Sequence, residues 1–113
     1  MIFVSYAWAD ASAAHDVHRG LKNLGHETWI DFERLDLEGN IEIQLIRAIQ
    51  AATVLLLLDS PSARESRWIR FEMACAVKAG IPVMLLSHHL NNLVEYTNSS
   101  YWNKMFVPDQ YSA

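Results

Sequence analysis

Cysteine is almost absent from this sequence. Cys75 is the single cysteine among 113 residues, so the chain cannot form an internal disulfide. Such a chain is typical of a reducing compartment, and we expect a cytoplasmic location. Cys75 falls midway along a predicted helix, where a small core residue is a better interpretation than a nucleophile. The fold must therefore be held together by its hydrophobic core.

Glycine is also scarce, and the four glycines form no phosphate-binding loop. Neither GxGxxG, the dinucleotide fingerprint, nor GxxxxGK[ST], the P-loop, occurs, so a nucleotide would have to bind by another geometry. The five histidines show no metal-ligand spacing with a third ligand, and no metal site is expected. His15 and His18 are interpreted as helix-surface residues, and His88 and His89 as the exit from a strand.

Clustered positive charge and long apolar runs are lacking too. The net charge is −4 and the nine lysines and arginines are scattered, so nucleic acid is not expected as a partner. The longest apolar run, Ala51–Leu58 interrupted only by Thr53, is far shorter than the roughly 20 residues that cross a bilayer. The first residues, MIFVSY, lack the features of a signal peptide. No membrane partner is therefore expected.

The residues that are present suffice for one packed domain. Hydrophobic residues make up 51% of the chain and charged residues 19%, a balance typical of globular proteins. A chain of 113 residues has room for one sizeable core. We therefore predict a single domain over residues 1–113.

Apolar runs and helical periodicity alternate along the chain. The predicted strands are Ile2–Val4, Glu27–Asp31, Thr53–Leu58 and Ile81–Leu86, and the predicted helices are Asp10–Leu24, a segment capped by Asn40, and Trp68–Ala79. Phe32–Asn40 is predicted to be an exposed loop. The alternation predicts an α/β, flavodoxin-like, doubly wound parallel sheet of four to five strands with helices on both faces. Later in the chain, short helices are predicted over Leu90–Glu95 and Tyr101–Phe106, and Phe106–Val107 is a marginal candidate for the fifth strand.

Ligands of such sheets collect at the carboxyl ends of the strands. The residues expected at that edge are Ser5, Tyr6, Ala7, Trp8, Asp31, Asp59 and Ser60. Asp59 after a buried strand suggests the phospho-acceptor of a receiver domain, but that chemistry needs an acidic pair after the first strand to hold magnesium. The stretch FVSY supplies no acid there. The receiver interpretation is therefore rejected.

The stretch SRWIRFEMA places the carboxylate of Glu72 among apolar and aromatic residues. Helical spacing puts Trp68 and Glu72 on one face, among apolar neighbours. A carboxyl group that is partly desolvated there has a raised pKa, which is a frequent mark of functional sites. The alternative is a structural ion pair between Glu72 and an arginine such as Arg70 or Arg64. The helix alone does not separate the two.

Three stretches together resemble a Toll/interleukin-1 receptor (TIR) domain of the bacterial type. They are IFVSYA with Asp10, ETWID followed by Leu35 and Gly39, and Ser60 through Ser66 with Trp68 and Glu72. The first is similar to the opening strand and loop of the family and the second to its second strand and BB loop. The third matches its S…S-x-W-x-x-x-E pattern. The resemblance covers residues 2–86, and the part after residue 87 is short and atypical for the family.

The resemblance implies one of two functions. Some family members cleave NAD+ between nicotinamide and ribose, giving ADP-ribose or a cyclic ADP-ribose, and others are adaptors that act only through TIR-to-TIR assembly. By resemblance Glu72 is the catalytic glutamate, and the pocket opens beside the predicted loop. The residues expected to bind substrate are Ser5, Tyr6, Ala7, Trp8, Asp31, Ser60 and Trp68. Self-association is expected through Phe32, Leu35 and Leu37, unless these side chains pack back onto their own domain.

The chemistry of NAD+ is compatible with a single carboxylate. Its nicotinamide is already cationic and leaves as a neutral base without a protonating acid. As the bond breaks, positive charge develops on the ribose, and Glu72 either stabilises that charge or anchors the ribose hydroxyls. We therefore predict a self-associating NAD+ glycohydrolase or cyclase with NAD+ as substrate and no cofactor. The resemblance also implies a role in bacterial defence or cell-death signalling.

Two alternatives stay open. The first is a non-enzymatic TIR interaction module, which needs no acid at the position of Glu72. The second is an enzyme acting on nucleosides, similar to a deoxyribosyltransferase. Such an enzyme needs a second carboxylate near the pocket, and Asp10, Asp31 and Asp59 are the candidates.

Overall fold

A five-stranded sheet forms the centre of the protein in the computed structural model, which describes residues 1–87 and 92–96. Its strands are β1 (Ile2–Ser5), β2 (Thr28–Trp29), β3 (Val54–Asp59), β4 (Val83–Ser87) and β5 (Asn92–Tyr96). They lie in the order β2-β1-β3-β4-β5. The first four are parallel, whereas β5 is antiparallel to β4. The prediction of a flavodoxin-like α/β fold is confirmed.

Five α-helices connect and flank the described strands. They are α1 (Ala11–Asn23), α2 (Asp31–Arg34), α3 (Ile41–Ala51), α4 (Pro61–Glu65) and α5 (Arg67–Ala79), and a single 3-10 turn over Trp8–Asp10 precedes α1. Asn40 caps α3 as expected, because its side chain accepts a hydrogen bond from the backbone N–H of Ile43 at 2.9 Å. Gly80 ends α5 in the left-handed conformation, with φ of 73°. None of the helices in the described ranges is long and apolar enough to span a membrane.

The sheet is packed on both faces. On one face, buried residues such as Phe3, Leu55 and Leu57 pack with residues of α3 and α5. On the other face, Val4 and Leu58 pack against Ala14 of α1. Because successive side chains of a strand point to opposite faces, the uninterrupted apolar run of β3 supplies both cores.

Two predicted elements near the amino terminus are wrong in extent. The strand predicted over Glu27–Asp31 is ordered as a strand only at Thr28–Trp29. Asp31 begins helix α2, which occupies the first turn of the segment predicted to be a loop. The helix forms because the backbone N–H groups of Glu33 and Arg34 both donate to the carbonyl of Ile30. Sequence patterns detect a single turn of helix poorly because it is too short to show periodicity.

The helix predicted over Leu90–Glu95 is also wrong, because its described part from Asn92 onward is strand β5. Val94 and Tyr96 are residues that favour strands, whereas Asn92 and Glu95 are not, and the strand forms by pairing with the edge of β4. The helix predicted over Tyr101–Phe106 and the strand predicted at Phe106–Val107 lie outside the described residues.

The surface interpretation of His18 is wrong as well. Its side chain lies in α1 but is only 5% exposed, and it is held by Thr28 and Glu33. His15, one turn earlier, is exposed as expected. Cys75 is half-buried and packs against the main core.

Candidate functional site

A cleft of about 160 Å³ opens beside the carboxyl end of β1. Its lining residues are Tyr6, Trp8, Asp31, Leu35, Leu37, Ile41, Leu45, Ser66, Trp68 and Glu72. An adjoining groove of about 370 Å³ is lined by Tyr6, Trp8, Ala11, His15, Asp31, Phe32, Leu35 and Leu37. The cleft and the groove share Tyr6, Trp8, Asp31, Leu35 and Leu37. Together they form one continuous site at the edge where the fold predicts ligand binding.

Glu72 contributes a buried carboxylate to the wall of the cleft. It lies in the second turn of α5, a helix that begins after Ser66, whose hydroxyl accepts from the N–H of Ile69 at 3.2 Å. The side chain of Glu72 is 8% exposed. The hydroxyl of Ser5, the last residue of β1, donates to Glu72 Oε1 at 2.8 Å. The carboxyl group of Glu72 thus connects helix α5 to the end of strand β1.

The environment of Glu72 opposes its ionisation. The pKa of Glu72 is raised from 4.5 to about 8. Burial is the main cause, the hydrogen bond from Ser5 acts in the opposite direction, and the negative charge of Asp31 adds to the rise. The alternative interpretation was an ion pair between Glu72 and an arginine, and no such pair occurs among the described residues. Arg64 pairs with Asp59 at 3.0 Å, and the guanidinium of Arg70 donates to the Arg64 carbonyl at 3.4 Å. Glu72 is therefore a desolvated carboxyl group facing a cleft.

Asp31 is the second acid of the site. Its Oδ1 atom accepts from the Tyr6 hydroxyl at 2.5 Å and from the backbone N–H of Phe32 at 2.7 Å. Burial and the neighbouring carboxylate of Asp31 raise the pKa of Tyr6 well above its usual value, so the phenol stays protonated and remains a donor. Asp31 is thereby fixed in orientation at the boundary between the cleft and the groove.

Two tryptophans flank the mouth of the cleft. Trp8 is 87% exposed, and Trp68 is 48% exposed and packs edge-on against Phe71 with ring centroids 5.9 Å apart. Their exposure leaves aromatic faces available to a planar ligand. Trp68 and Glu72 share the cleft, as their spacing on one helix predicts.

Other residues predicted for the site are placed differently. Ser60 is buried at the start of α4, where its hydroxyl accepts from the N–H of Ala63 and donates to Asp10 at 2.5 Å. Ala7 is buried in the main core. Neither is among the residues that line the cleft or the groove. Ser60 instead joins the end of β3 to the turn before α1.

The three residues predicted to join subunits lie along the outer wall. Leu37 is 77% exposed and Phe32 is 46% exposed, while Leu35 is half-buried and packs against the main core. Leu35 and Leu37 line both the cleft and the groove, and Phe32 lines the groove. The wall that borders the site is therefore apolar and partly exposed.

A model of the TIR domain family matches residues 2–105 of the chain. The chain belongs to the TIR domain family. The family includes enzymes that cleave NAD+, and its domains generally self-associate. A comparison with curated proteins gives no significant match. The resemblance carried by the three motifs is thus confirmed at the level of the family.

Several residues of the TIR domain's site were missed from the sequence. Ile41, Leu45 and Ser66 line the cleft, and Ala11 and His15 line the groove. Ala11 and His15 are four residues apart on α1, a spacing that places them on one face. The sequence alone does not show that this face of α1 contacts Phe32, because the contact depends on the position of α2.

The acids of the cleft can accept hydrogen bonds from hydroxyl groups. Within the described ranges, no three His, Cys, Asp or Glu side chains are grouped so that they could hold a metal ion. Asp31 and Glu72 present carboxylate oxygens to the same cleft. Such oxygens accept hydrogen bonds from the hydroxyls of a sugar. The site thus combines two acceptors with two exposed aromatic rings.

The burial of Glu72 predicts that the TIR domain loses stability as pH rises. Between the ordinary pKa of 4.5 and the raised value of about 8, the folded state keeps a proton that the unfolded state has released. Over that interval the group destabilises the fold by on the order of a few kcal/mol. We expect Glu72→Gln to raise the melting temperature much more at about pH 8.5 than at about pH 5.

Thermal unfolding followed by circular dichroism checks this prediction. Glu65→Gln removes the same charge from an exposed position of α4 and is the control. Equal shifts at the two pH values, or equal shifts for the two variants, would show that Glu72 is not desolvated in the fold.

Proposed function

We propose that this TIR domain is an NAD+ nucleosidase, with Glu72 as its catalytic carboxylate. The observation that carries the proposal is the Glu72 carboxyl group, 8% exposed, facing a cleft rather than a cationic partner. Keeping a carboxyl group in that position costs stability, since its charged form is desolvated. A group that is unfavourable for folding and faces a cleft is typical of a site that uses it.

The proposed reaction needs no group to protonate the leaving nicotinamide. Cleavage of the C–N bond returns the electron pair to the cationic ring, which departs as neutral nicotinamide and leaves positive charge on the ribose. An ionised Glu72 stabilises that charge, and the low dielectric of the cleft strengthens the attraction. Addition of water then gives ADP-ribose and a proton, whereas attack by another group of the same substrate gives a cyclic product.

The size of the site fits an extended dinucleotide. The cleft of about 160 Å³ is small by itself, but the adjoining groove adds about 370 Å³. Ligand sites commonly enclose roughly 300–1,000 Å³. We place the scissile ribose and nicotinamide in the cleft near Glu72 and Trp68, and the rest of NAD+ along the groove. Asp31 lies where the two meet and is suited to accept hydrogen bonds from ribose hydroxyls.

The exposed apolar wall supports self-association as the second part of the proposal. Leu37 and Trp8 are both strongly exposed and both line the site. Contact with a second copy would cover these side chains and exclude water from the cleft. By family membership, bacterial defence or cell-death signalling is the setting we propose for such an assembly.

The first prediction concerns release of nicotinamide. Purified protein at increasing concentrations, incubated with NAD+, should release nicotinamide, and Glu72→Gln should lower kcat roughly 100-fold or more because the developing cation loses its counter-charge. Chromatography measures nicotinamide, and the second product peak distinguishes ADP-ribose from a cycle.

The exposed Glu65→Gln variant is the matched control and should retain wild-type turnover. Wild-type turnover in folded Glu72→Gln would remove Glu72 from the mechanism. No release from the wild-type protein at any concentration would favour the interaction module.

The second prediction concerns pH. Because Glu72 must be ionised and its pKa in the free enzyme is about 8, kcat/KM should fall as pH decreases through that value. The Asp31 charge raises this pKa, so Asp31→Asn should move the fall to lower pH. Ser5 lowers it through a hydrogen bond, so Ser5→Ala should move the fall to higher pH.

Initial rates across pH at low NAD+ concentration measure both shifts. Opposite movement in the two variants is the specific signature, since general damage to the site would not move the profile in two directions. Movement of both profiles in the same direction would contradict the assignment of Glu72.

The third prediction concerns self-association. Leu37→Asp should lower activity most at low protein concentration, because a charge in the proposed contact weakens assembly. Leu24→Asp is the control, since Leu24 is 76% exposed, close to the 77% of Leu37, but lies at the end of α1. Activity measured over a dilution series, beside light scattering, separates the variants. A loss for Leu37→Asp that is the same at every concentration would indicate local damage to the cleft instead.

A further inference from the structure

Helix α1 holds helix α2 through a buried histidine. His18 is 5% exposed, and both of its ring nitrogens have partners. Nδ1 lies 2.8 Å from the Thr28 hydroxyl, and Nε2 lies 2.9 Å from the Glu33 carboxylate. The neutral ring satisfies both contacts when the Thr28 hydroxyl donates to Nδ1 and the protonated Nε2 donates to Glu33. His18 therefore links α1, β2 and α2 at one point.

The aromatic ring of Phe32 is held by the same helix. The ring of His15 stacks on it with centroids 3.9 Å apart and planes 5° apart. The ring of His18 meets it edge-on at 5.5 Å. Phe32 and His15 both line the groove. Two turns of α1 thus set the position of a side chain in the proposed NAD+ site.

Helix α2 needs such contacts because it is only one turn long. Four residues cannot form a stable helix by themselves, since nucleation costs more than the few hydrogen bonds return. Its first two residues, Asp31 and Phe32, line the site, whereas Glu33 makes the contact with His18. The start of α2 therefore lies in the candidate site, and the next residue, Glu33, ties the helix to α1.

We propose that His18 is a positioning residue of the NAD+ site, acting through Glu33 to fix α2 and with it Asp31 and Phe32. The inference rests on the proposed function for its effect on catalysis, but the contact it invokes is a property of the fold. The hydrogen bond from His18 is the largest of the influences that lower the pKa of Glu33, and the charge and hydrogen bond of Lys22 act in the same direction. Glu33 is thus kept as the ionised acceptor that the contact requires.

Two substitutions at one position separate positioning from packing. In His18→Gln the amide nitrogen lies near the place of Nε2, which keeps a donor for Glu33. In His18→Asn the shorter amide reaches the place of Nδ1, which keeps the Thr28 contact and loses Glu33. Both remove the ring and its packing. We therefore compare the two variants with each other and with Asp16→Asn, an exposed change on the same helix.

The kinetic test measures KM and kcat for NAD+ cleavage. A misplaced binding wall should raise KM by about tenfold in His18→Asn, with kcat little changed because Ser5 and Glu72 are intact. His18→Gln and Asp16→Asn should remain near wild type. A purely structural role would instead lower the apparent kcat in proportion to the unfolded fraction and leave KM unchanged, and that result would overturn the proposal.

Hydrogen exchange provides a readout that does not need activity. The backbone amides of residues 31–35 should exchange faster in His18→Asn than in His18→Gln, while those of α3 and α5 should be unchanged. Equal exchange in the two variants would overturn the proposal, even if NAD+ is cleaved. If the wild-type protein does not cleave NAD+, the proposed function fails, and the exchange comparison still decides whether His18 positions α2.

Discussion

The candidate site depends on the position of β1 in the sheet. This strand pairs with β2 on one side and with β3 on the other, all in parallel. The chain leaves β1 toward α1 on one face and leaves β3 toward α4 and α5 on the other. Helices that depart to opposite faces leave a gap at the carboxyl edge. Ser5 lies at the end of β1 on that edge, and Glu72 reaches it from α5.

The electrostatics of the cleft depend on the exclusion of water as much as on the side chains that line it. Water reaches Glu72 poorly. Among the described residues Ser5 donates a hydrogen bond to its carboxyl group, and the charge of Asp31 opposes its ionisation. A cationic partner beside Glu72 would stabilise the ionised carboxylate and lower its pKa. The Tyr6 hydroxyl at 2.5 Å and the Phe32 N–H hold Asp31, so the two acids of the cleft have different hydrogen-bond donors.

Much of the fold was predictable from the sequence because its long elements bury regular patterns. The apolar run of β3 and the helical spacing of Trp68 and Glu72 both gave correct predictions. Failures occurred where a neighbour in space decides the structure. Strand β5 depends on the free edge of β4, and the burial of His18 depends on Thr28 and Glu33, which are distant along the chain. Ser60 was placed at the correct edge, but its hydroxyl is engaged by Asp10.

The antiparallel strand β5 has a consequence for how the chain folds. Only four residues separate Ser87 from Asn92, which pair with each other at the connected end of β4 and β5. By contrast, Ile2 of β1 pairs with Val54 of β3, and almost half the sequence lies between them. Contacts between near neighbours form faster because they close shorter loops, whereas distant pairings carry most of the entropic barrier. We therefore expect the pairing of β1 with β3, which borders the cleft, to form more slowly than the hairpin of β4 and β5.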